Sequence, residues 1–277
     1  MIIWIASFPK SGNTFVRALL SSYFFSKSGD FEFGLLKNIK KFPKKSFFVK
    51  LGIDLNNPEQ LAKSYIKAQE LINKKKGIKF LKTHSSFCKM NNKYSFTNSE
   101  NTAGAIYLVR DPRNVVTSCT NHFNVDYDQA TKYVTENWLF GEETIPEYIG
   151  SWIFNYNSWK ILSKVNRLLL VKYEELISDT ENCFLKILNF INFISKNNSF
   201  IDKEKLKRCI ISTQFNKLQN LEKKYGFDEA TIDNQNRKNK FFNLGKKNNW
   251  ENILDKEIKK KIEQSCKDEM FELGYLK

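Results

Sequence analysis

The chain has 277 residues, 41% of them hydrophobic, which is enough apolar material for one core and fits one large α/β domain over residues 1–277. Its formal charge of +15 points to an anionic partner, but the basic residues lie in small groups (Lys40-Lys41, Lys74 to Lys76, Lys246-Lys247, Lys259 to Lys261) with acids between most of them. That is a solvated surface and no nucleic-acid footprint, and part of the Lys, Asn, Ile and Phe bias follows from AT-rich codons. Five scattered cysteines (Cys88, Cys119, Cys183, Cys209, Cys266) form no metal-ligand or redox pair and read as reduced thiols of a cytoplasmic protein, and no stretch approaches the length of a membrane span.

In chain order, Ile2 to Ala6 is a buried strand that breaks into Phe8-Pro9-Lys10-Ser11-Gly12-Asn13-Thr14 and re-enters a helix from Phe15 to Phe25. Asn57-Pro58 opens a helical pattern that runs to Leu71. Ile78 to Leu81 is the second strand, followed by Lys82-Thr83-His84. Ser85 to Gly104 reads as a loop. Ala105 to Val109 is the third strand, with Arg110-Asp111-Pro112-Arg113 after it and a helix over 114–121. Gly141 to Gly150 reads as a second loop. Leu168 to Val171 is the fourth strand, followed by Lys172-Tyr173-Glu174. Ser178 with Glu181 forms a capping box ahead of a helix from Phe184 to Phe193, and Asp233 to Asn249 is a third loop.

Four short apolar runs, each ending in polar residues, predict a parallel sheet covered by helices on both faces. Ligands of open α/β sheets sit beyond the carboxyl ends of the strands, so the polar clusters converge there. The turn Lys10 to Thr14 aims backbone N–H groups and a helix N-terminus at one spot, which suits a phosphate, although a Pro-Lys-Ser-Gly turn also serves as an ordinary connection. Its spacing is not that of an ATPase P-loop, because Lys10 precedes the single Gly12 by two residues. His84 is one of only two histidines and sits just past a strand beside that spot, where a neutral imidazole suits a general base, although a lone His more often serves structure. The other, His122, reads as structural.

The run Pro9 to Phe15 resembles the 5′-phosphosulfate loop of the sulfotransferases that use 3′-phosphoadenosine-5′-phosphosulfate (PAPS). Tyr107 to Ser118 is similar to the family's 3′-phosphate segment, and Lys82-Thr83-His84 matches its Lys-Thr-His signature. The resemblance implies a P-loop-like three-layer α/β fold. It also implies that Lys10, Ser11, Gly12, Asn13 and Thr14 hold the 5′-phosphate and that Arg110 and Ser118 hold the 3′-phosphate. Phe15 would stack on adenine where Trp is more usual, or simply pack on the first helix. Tyr173 looks like a family tyrosine near the nucleotide, Thr213 and Phe215 like the adenine-side segment, and Arg237-Lys238 like the Arg-Lys-Gly loop that closes over the 3′-phosphate. Gly150-Ser151-Trp152 with Trp159 also matches, although Asn155 stands where many members have His. Asn239 departs from the family Gly, and no dimerisation segment is visible in Glu251 to Ile258, so the resemblance assigns no oligomeric state.

The expected function is therefore sulfuryl transfer from PAPS to a hydroxyl or amine of a small-molecule, glycan or lipid acceptor, with adenosine 3′,5′-bisphosphate (PAP) as product and no metal. His84 is expected to take the acceptor proton, Lys10 and Lys82 to stabilise the developing charge, and Ser118 to restrain Lys10. The rivals are a P-loop kinase using ATP and magnesium and a non-catalytic polyanion binder. The acceptor itself is not named by the sequence, and the variable stretches Phe24 to Phe48, Phe87 to Thr102 and Tyr127 to Tyr148 are expected to line its pocket.

Overall fold

Ile2 to Ser7 are all buried, which a strand can be only when both faces of its sheet are covered. The computed structural model describes residues 1–90, 92–140, 145, 147–197, 199–232 and 235–277, with backbone only at 246. Its strands are β1 (Ile2–Ser7), β2 (Lys40–Lys41), β3 (Lys79–Thr83), β4 (Lys89–Met90), β5 (Tyr94–Ser95), β6 (Thr102–Val109), β7 (Leu139–Phe140), β8 (Glu147–Tyr148) and β9 (Leu168–Lys172). The α-helices are α1 (Asn13–Phe25), α2 (Pro58–Lys63), α3 (Tyr65–Asn73), α4 (Pro112–Phe123), α5 (Tyr127–Thr135), α6 (Trp152–Lys160), α7 (Tyr173–Ser178), α8 (Thr180–Ser195), α9 (Lys203–Ser212), α10 (Phe215–Tyr225), α11 (Lys256–Ser265) and α12 (Lys267–Glu272).

β2, β3, β1, β6 and β9 form, in that order, a parallel sheet. The period of two along its strands sorts side chains into two cores. Ile2, Trp4 and Ala6 join Ala105, Tyr107 and Val109 under α3, α4, α6 and α11. Ile3 and Ile5 join Ile106 and Leu108 under α1, α8 and α9. The result is the expected three-layer α/β fold. Trp4 is fully buried, and its indole donates to Thr102 Oγ1 at 3.0 Å, so its polar atom is satisfied inside the first core.

All four expected strands are present. β2 was not expected because it is a pair of lysines with no apolar run, added at the sheet edge. The helix expected from 58 to 71 is broken at Ser64 into α2 and α3. Asp179, not Ser178, caps α8 by accepting from the Asn182 N–H, and Ser178 instead ends α7. The stretch 85–104 carries the β4–β5 hairpin and the start of β6. Within the expected loop 141–150, β8 pairs with β7, while 141–144 and 146 lie outside the described residues. In the third loop, 233 and 234 lie outside them, and a 3-10 turn runs from Gly245 to Lys247. All five cysteines are free.

The register aligns the strand ends. Ala6 sits opposite both Thr83 and Tyr107, and Val109 opposite Lys172. The chain runs from β1 to β2 and β3 on one side, then crosses to β6 and β9 on the other. β1 is thus the switch point, and the crevice beyond its carboxyl end receives the residues that follow β1, β3, β6 and β9.

Candidate active site

Between β1 and α1 the chain adopts left-handed backbone at Lys10 (φ +64°) and Gly12 (φ +97°). A side chain at Gly12 would also bring a Cβ to 2.6 Å from the Tyr173 ring, so strain and contact together demand glycine. The Gly12 carbonyl accepts from the N–H groups of Phe15 (3.0 Å) and Val16 (3.3 Å), which starts the helix. No side-chain hydrogen bond caps α1 among the described residues, so the N–H groups of Asn13 and Thr14 at its very start face an uncapped helix end. Ser11 Oγ is buried and finds no hydrogen-bond partner among the described residues.

The other loop side chains divide between scaffold and cavity. Asn13 turns back to the strand and donates to Ile5 O (2.9 Å) and Ser7 Oγ (3.3 Å). Thr14 donates to Glu229 Oε2 at 3.2 Å. Phe15 both lines the cavity and packs against the second core. The Lys10 ammonium lies 4.2 Å from the Phe241 ring centroid, and burial above all holds its pKa down at about 8. Among the described residues no hydrogen bond joins it to Ser118.

His84 is fixed by the end of β1. Its Nδ1 lies 2.8 Å from Ser7 O and 3.2 Å from Ser7 Oγ. A carbonyl cannot donate, so Nδ1 carries the proton and Nε2 keeps its lone pair. Burial, then the neighbouring Lys82 charge, pushes the imidazole pKa well below its ordinary value, so the ring is neutral at pH 7. Its backbone carbonyl accepts from Asn155 Nδ2 at 2.9 Å, the same amide nitrogen reaches Ile149 O at 2.8 Å, and Asn155 Oδ1 accepts from the Tyr107 hydroxyl at 2.8 Å. Asn155 therefore anchors the segment that carries His84. Trp159 and Trp152, on the same helix α6, donate to Ser85 O (3.0 Å) and Arg110 O (3.1 Å). Helix α6 thus holds the segments after two strands in place.

Lys82 is almost fully buried, and its ammonium pairs with Glu229 Oε2 at 3.1 Å. Burial lowers its pKa, and Glu229 opposes that shift. Arg17 Nη1 meets the other oxygen of Glu229 at 2.5 Å. Burial alone would raise the Glu229 pKa, but Lys82 and Arg17 outweigh it and hold the carboxyl far below its ordinary value. Sequence reasoning missed this cluster, because Glu229 is separated from its partners by 212, 147 and 215 positions and no local pattern marks it. Lys41 and the buried Glu147 form a second ion pair on the cavity wall, and burial raises the Glu147 pKa.

Arg110 Nη1 donates to Lys10 O at 3.0 Å, its guanidinium lies 4.4 Å from the Tyr173 ring centroid, and its buried Nε has no partner among the described residues. Ser118 lines the cavity from α4. Thr213 lines it too, with its hydroxyl bonded to Cys209 O at 2.7 Å, and so does Phe215. Arg237 and Lys238 are not brought there. Both are exposed and outside the cavity wall, and Lys238 forms a β-bridge with Ile232. Asn243, Leu244, Gly245, Lys247 and Asn248, just ahead of Trp250, line the cavity on that side. Gly245 has φ +55°, and a Cβ there would stand 2.7 Å from the Phe215 ring.

These groups surround one cavity of about 1020 Å³, large enough for a nucleotide and a second molecule. Toward β7 its wall turns aromatic, with Phe123, Trp138 and Phe140. His122 also lines it, packed edge-on between Phe123 and Phe241, and burial lowers its pKa to about 3. Among the described residues no group of three His, Cys, Asp or Glu side chains is placed to hold a metal ion, and no helix is long and apolar enough to cross a membrane.

Fold and site together define a three-layer α/β protein with one large cavity at the switch point of its sheet. The profile of the family described as the sulfotransferase domain matches residues 2–274, and the chain belongs to that family. Among solved structures it is similar to retinol dehydratase in complex with androsterone and the inactive cofactor PAP (17% identity, TM-score 0.62, 97% of this chain and 80% of that one). It is also similar to retinol dehydratase with retinol and PAP (17%, 0.64, 97% and 81%). A third likeness is mouse sulfotransferase SULT7A1 complexed with PAP (17%, 0.60, 97% and 84%). At this identity the likenesses establish the fold. No curated protein sequence matches the chain significantly.

Proposed function

We propose that the protein transfers the sulfuryl group of PAPS to a hydroxyl or amine of a small-molecule, glycan or lipid acceptor and releases PAP. The observation that carries this reading is His84: a neutral imidazole with its free Nε2 lone pair beside a loop built for an anion. The orphaned Ser11 hydroxyl, the uncapped α1 and the unpartnered Arg110 Nε fit an anionic donor. Lys10, Ser11, Gly12, Asn13 and Thr14 would meet the 5′ end through backbone and side chain. Arg110 and Ser118 would meet the 3′-phosphate, now with Lys247 in the role expected of Arg237 and Lys238, and Phe15, Tyr173, Thr213 and Phe215 would border the nucleoside. PAP in the structural neighbours supports the choice of donor.

In the proposed step the bond from acceptor oxygen or nitrogen to sulfur forms as the bond from sulfur to the bridging phosphate oxygen breaks. His84 Nε2 takes the acceptor proton. Lys10 and Lys82 face the charge that develops on the leaving oxygen and the transferring group, in a site where burial strengthens each interaction. The aromatic wall near Trp138 and Phe140 suits an acceptor with an apolar part, as with the retinol and androsterone in the neighbours.

The test is incubation of the protein with sulfur-labelled PAPS and pooled acceptors, with products read by mass spectrometry, with and without excess EDTA. Labelled product that persists in chelator is expected. Transfer from ATP that magnesium restores would favour the kinase reading, and thermal stabilisation by an oligonucleotide but not by PAP would favour the polyanion binder.

A further inference from the structure

Glu229 puts a carboxylate against Lys82 and Thr14 in the cavity wall. It follows α10, its side chain is 29% exposed, and its two oxygens are divided. Oε1 meets Arg17 Nη1 at 2.5 Å, while Oε2 meets both Lys82 Nζ at 3.1 Å and Thr14 Oγ1 at 3.2 Å. The two sides differ in kind. Arg17 is 4% exposed inside α1 and does not line the cavity, so its guanidinium is a fixed holder for Oε1. Lys82 and Thr14 do line the cavity, so both are within reach of a ligand held there.

One ammonium and one hydroxyl cannot serve a carboxylate oxygen and a donor oxygen equally well. The hydroxyl has a single proton to give, and two anions held at hydrogen-bond distance from the same ammonium repel each other. Arg17 lets the carboxylate stay charged and anchored when Lys82 and Thr14 turn away from it.

We propose that Glu229 is a positioning residue of the transfer site that holds Lys82 and Thr14 while the donor site is empty and yields them to the donor's anionic oxygens. It thereby weakens the hold on the nucleotide, the product included, and favours turnover over retention. This rests on the reading of the site as a PAPS site.

The competing interactions are charge-assisted hydrogen bonds that are exchanged, not simply lost, so removing the carboxylate should tighten PAP binding by about three- to thirtyfold. The experiment uses the full chain as wild type, Glu229→Gln and Glu229→Asp. It measures PAP affinity by calorimetry, product inhibition by PAP in steady-state transfer, and melting temperature. The proposal expects Glu229→Gln to lower the PAP dissociation constant and the inhibition constant by the same factor. Glu229→Asp, whose shorter carboxylate cannot span Arg17 and Lys82 together, should bind PAP more tightly than wild type as well. A purely structural ion pair would lower the melting temperature and leave both constants alone. Folded variants that bind PAP no more tightly than wild type overturn the proposal, and the Asp variant decides it if the Gln variant does not fold. Wild type that does not bind PAP at all overturns the donor reading itself, whereas wild type that binds and transfers while the variants match it overturns only the role of Glu229.

Discussion

The Lys10 ammonium, held near pKa 8 chiefly by burial, is half protonated at pH 8. A phosphate arriving at the loop favours the charged form, so the pKa should rise in the complex toward its ordinary 10.5. Binding then draws in a proton. At pH 8 the uptake should be about 0.5 proton per PAP bound, and at pH 7 about 0.1. Because the complex has the higher pKa, the contribution of Lys10 to affinity is fully present below the pKa of the free protein and is lost as the pH rises above it. Between pH 8 and 9 the apparent dissociation constant should climb by about fivefold. His84, already neutral, takes no part, and the phosphates of PAP are ionised throughout this range because their second pKa is about 6. The assay is calorimetry at pH 8 in two buffers of different ionisation enthalpy, where the difference in observed heat gives the protons taken up. Lys10→Met should remove most of the uptake. Tight PAP binding with no proton uptake at pH 8, and an affinity flat to pH 9, would refute the reasoning.

Three further outcomes follow from the site. His84→Asn should lower the single-turnover rate by about 10² to 10⁴ while melting and PAP affinity hold, and the wild-type rate should stay flat from about pH 6 to 7.5. A rate that halves near 6.5 would contradict the depressed imidazole pKa. Gly12→Ala should weaken PAP binding by at least about tenfold and lower the melting temperature, because the methyl group meets the Tyr173 ring at a left-handed backbone position. Calorimetry and thermal melting check both. Arg110→Met should reduce the preference for PAP over 5′-AMP from at least about tenfold in wild type to nearly none, since one charge-assisted contact is worth about 1.5 to 3 kcal/mol. Competition calorimetry measures it, and an unchanged ratio would remove Arg110 from the 3′-phosphate site.

The sequence by itself determined four of the five strands of the sheet and the position of the loop. Buried parallel strands are continuous apolar runs, so Ile2 to Ala6 and Ala105 to Val109 declare themselves, and the polar residue after each run locates the strand end. Lys10, His84, Arg110 and Tyr173 were legible for that reason, since each lies within a few residues of a strand terminus. β2 was not, because two lysines at an edge carry no apolar signal. The cap of α8 was displaced by one residue because Ser178 and Asp179 both suit the position, and only the turn of the preceding helix chooses between them. Tertiary structure alone decided which distant residues share the cavity. It brought Glu229 to Arg17 and Lys82, Asn155 to the His84 carbonyl, and Asn248 to Thr117, and it left Arg237 and Lys238 outside the cavity wall. Helical and strand periods reach only a few residues along the chain. A contact between residues more than a hundred positions apart is fixed by how whole helices settle on the sheet, and the side-chain pairs that tune the charge of this site are contacts of that kind.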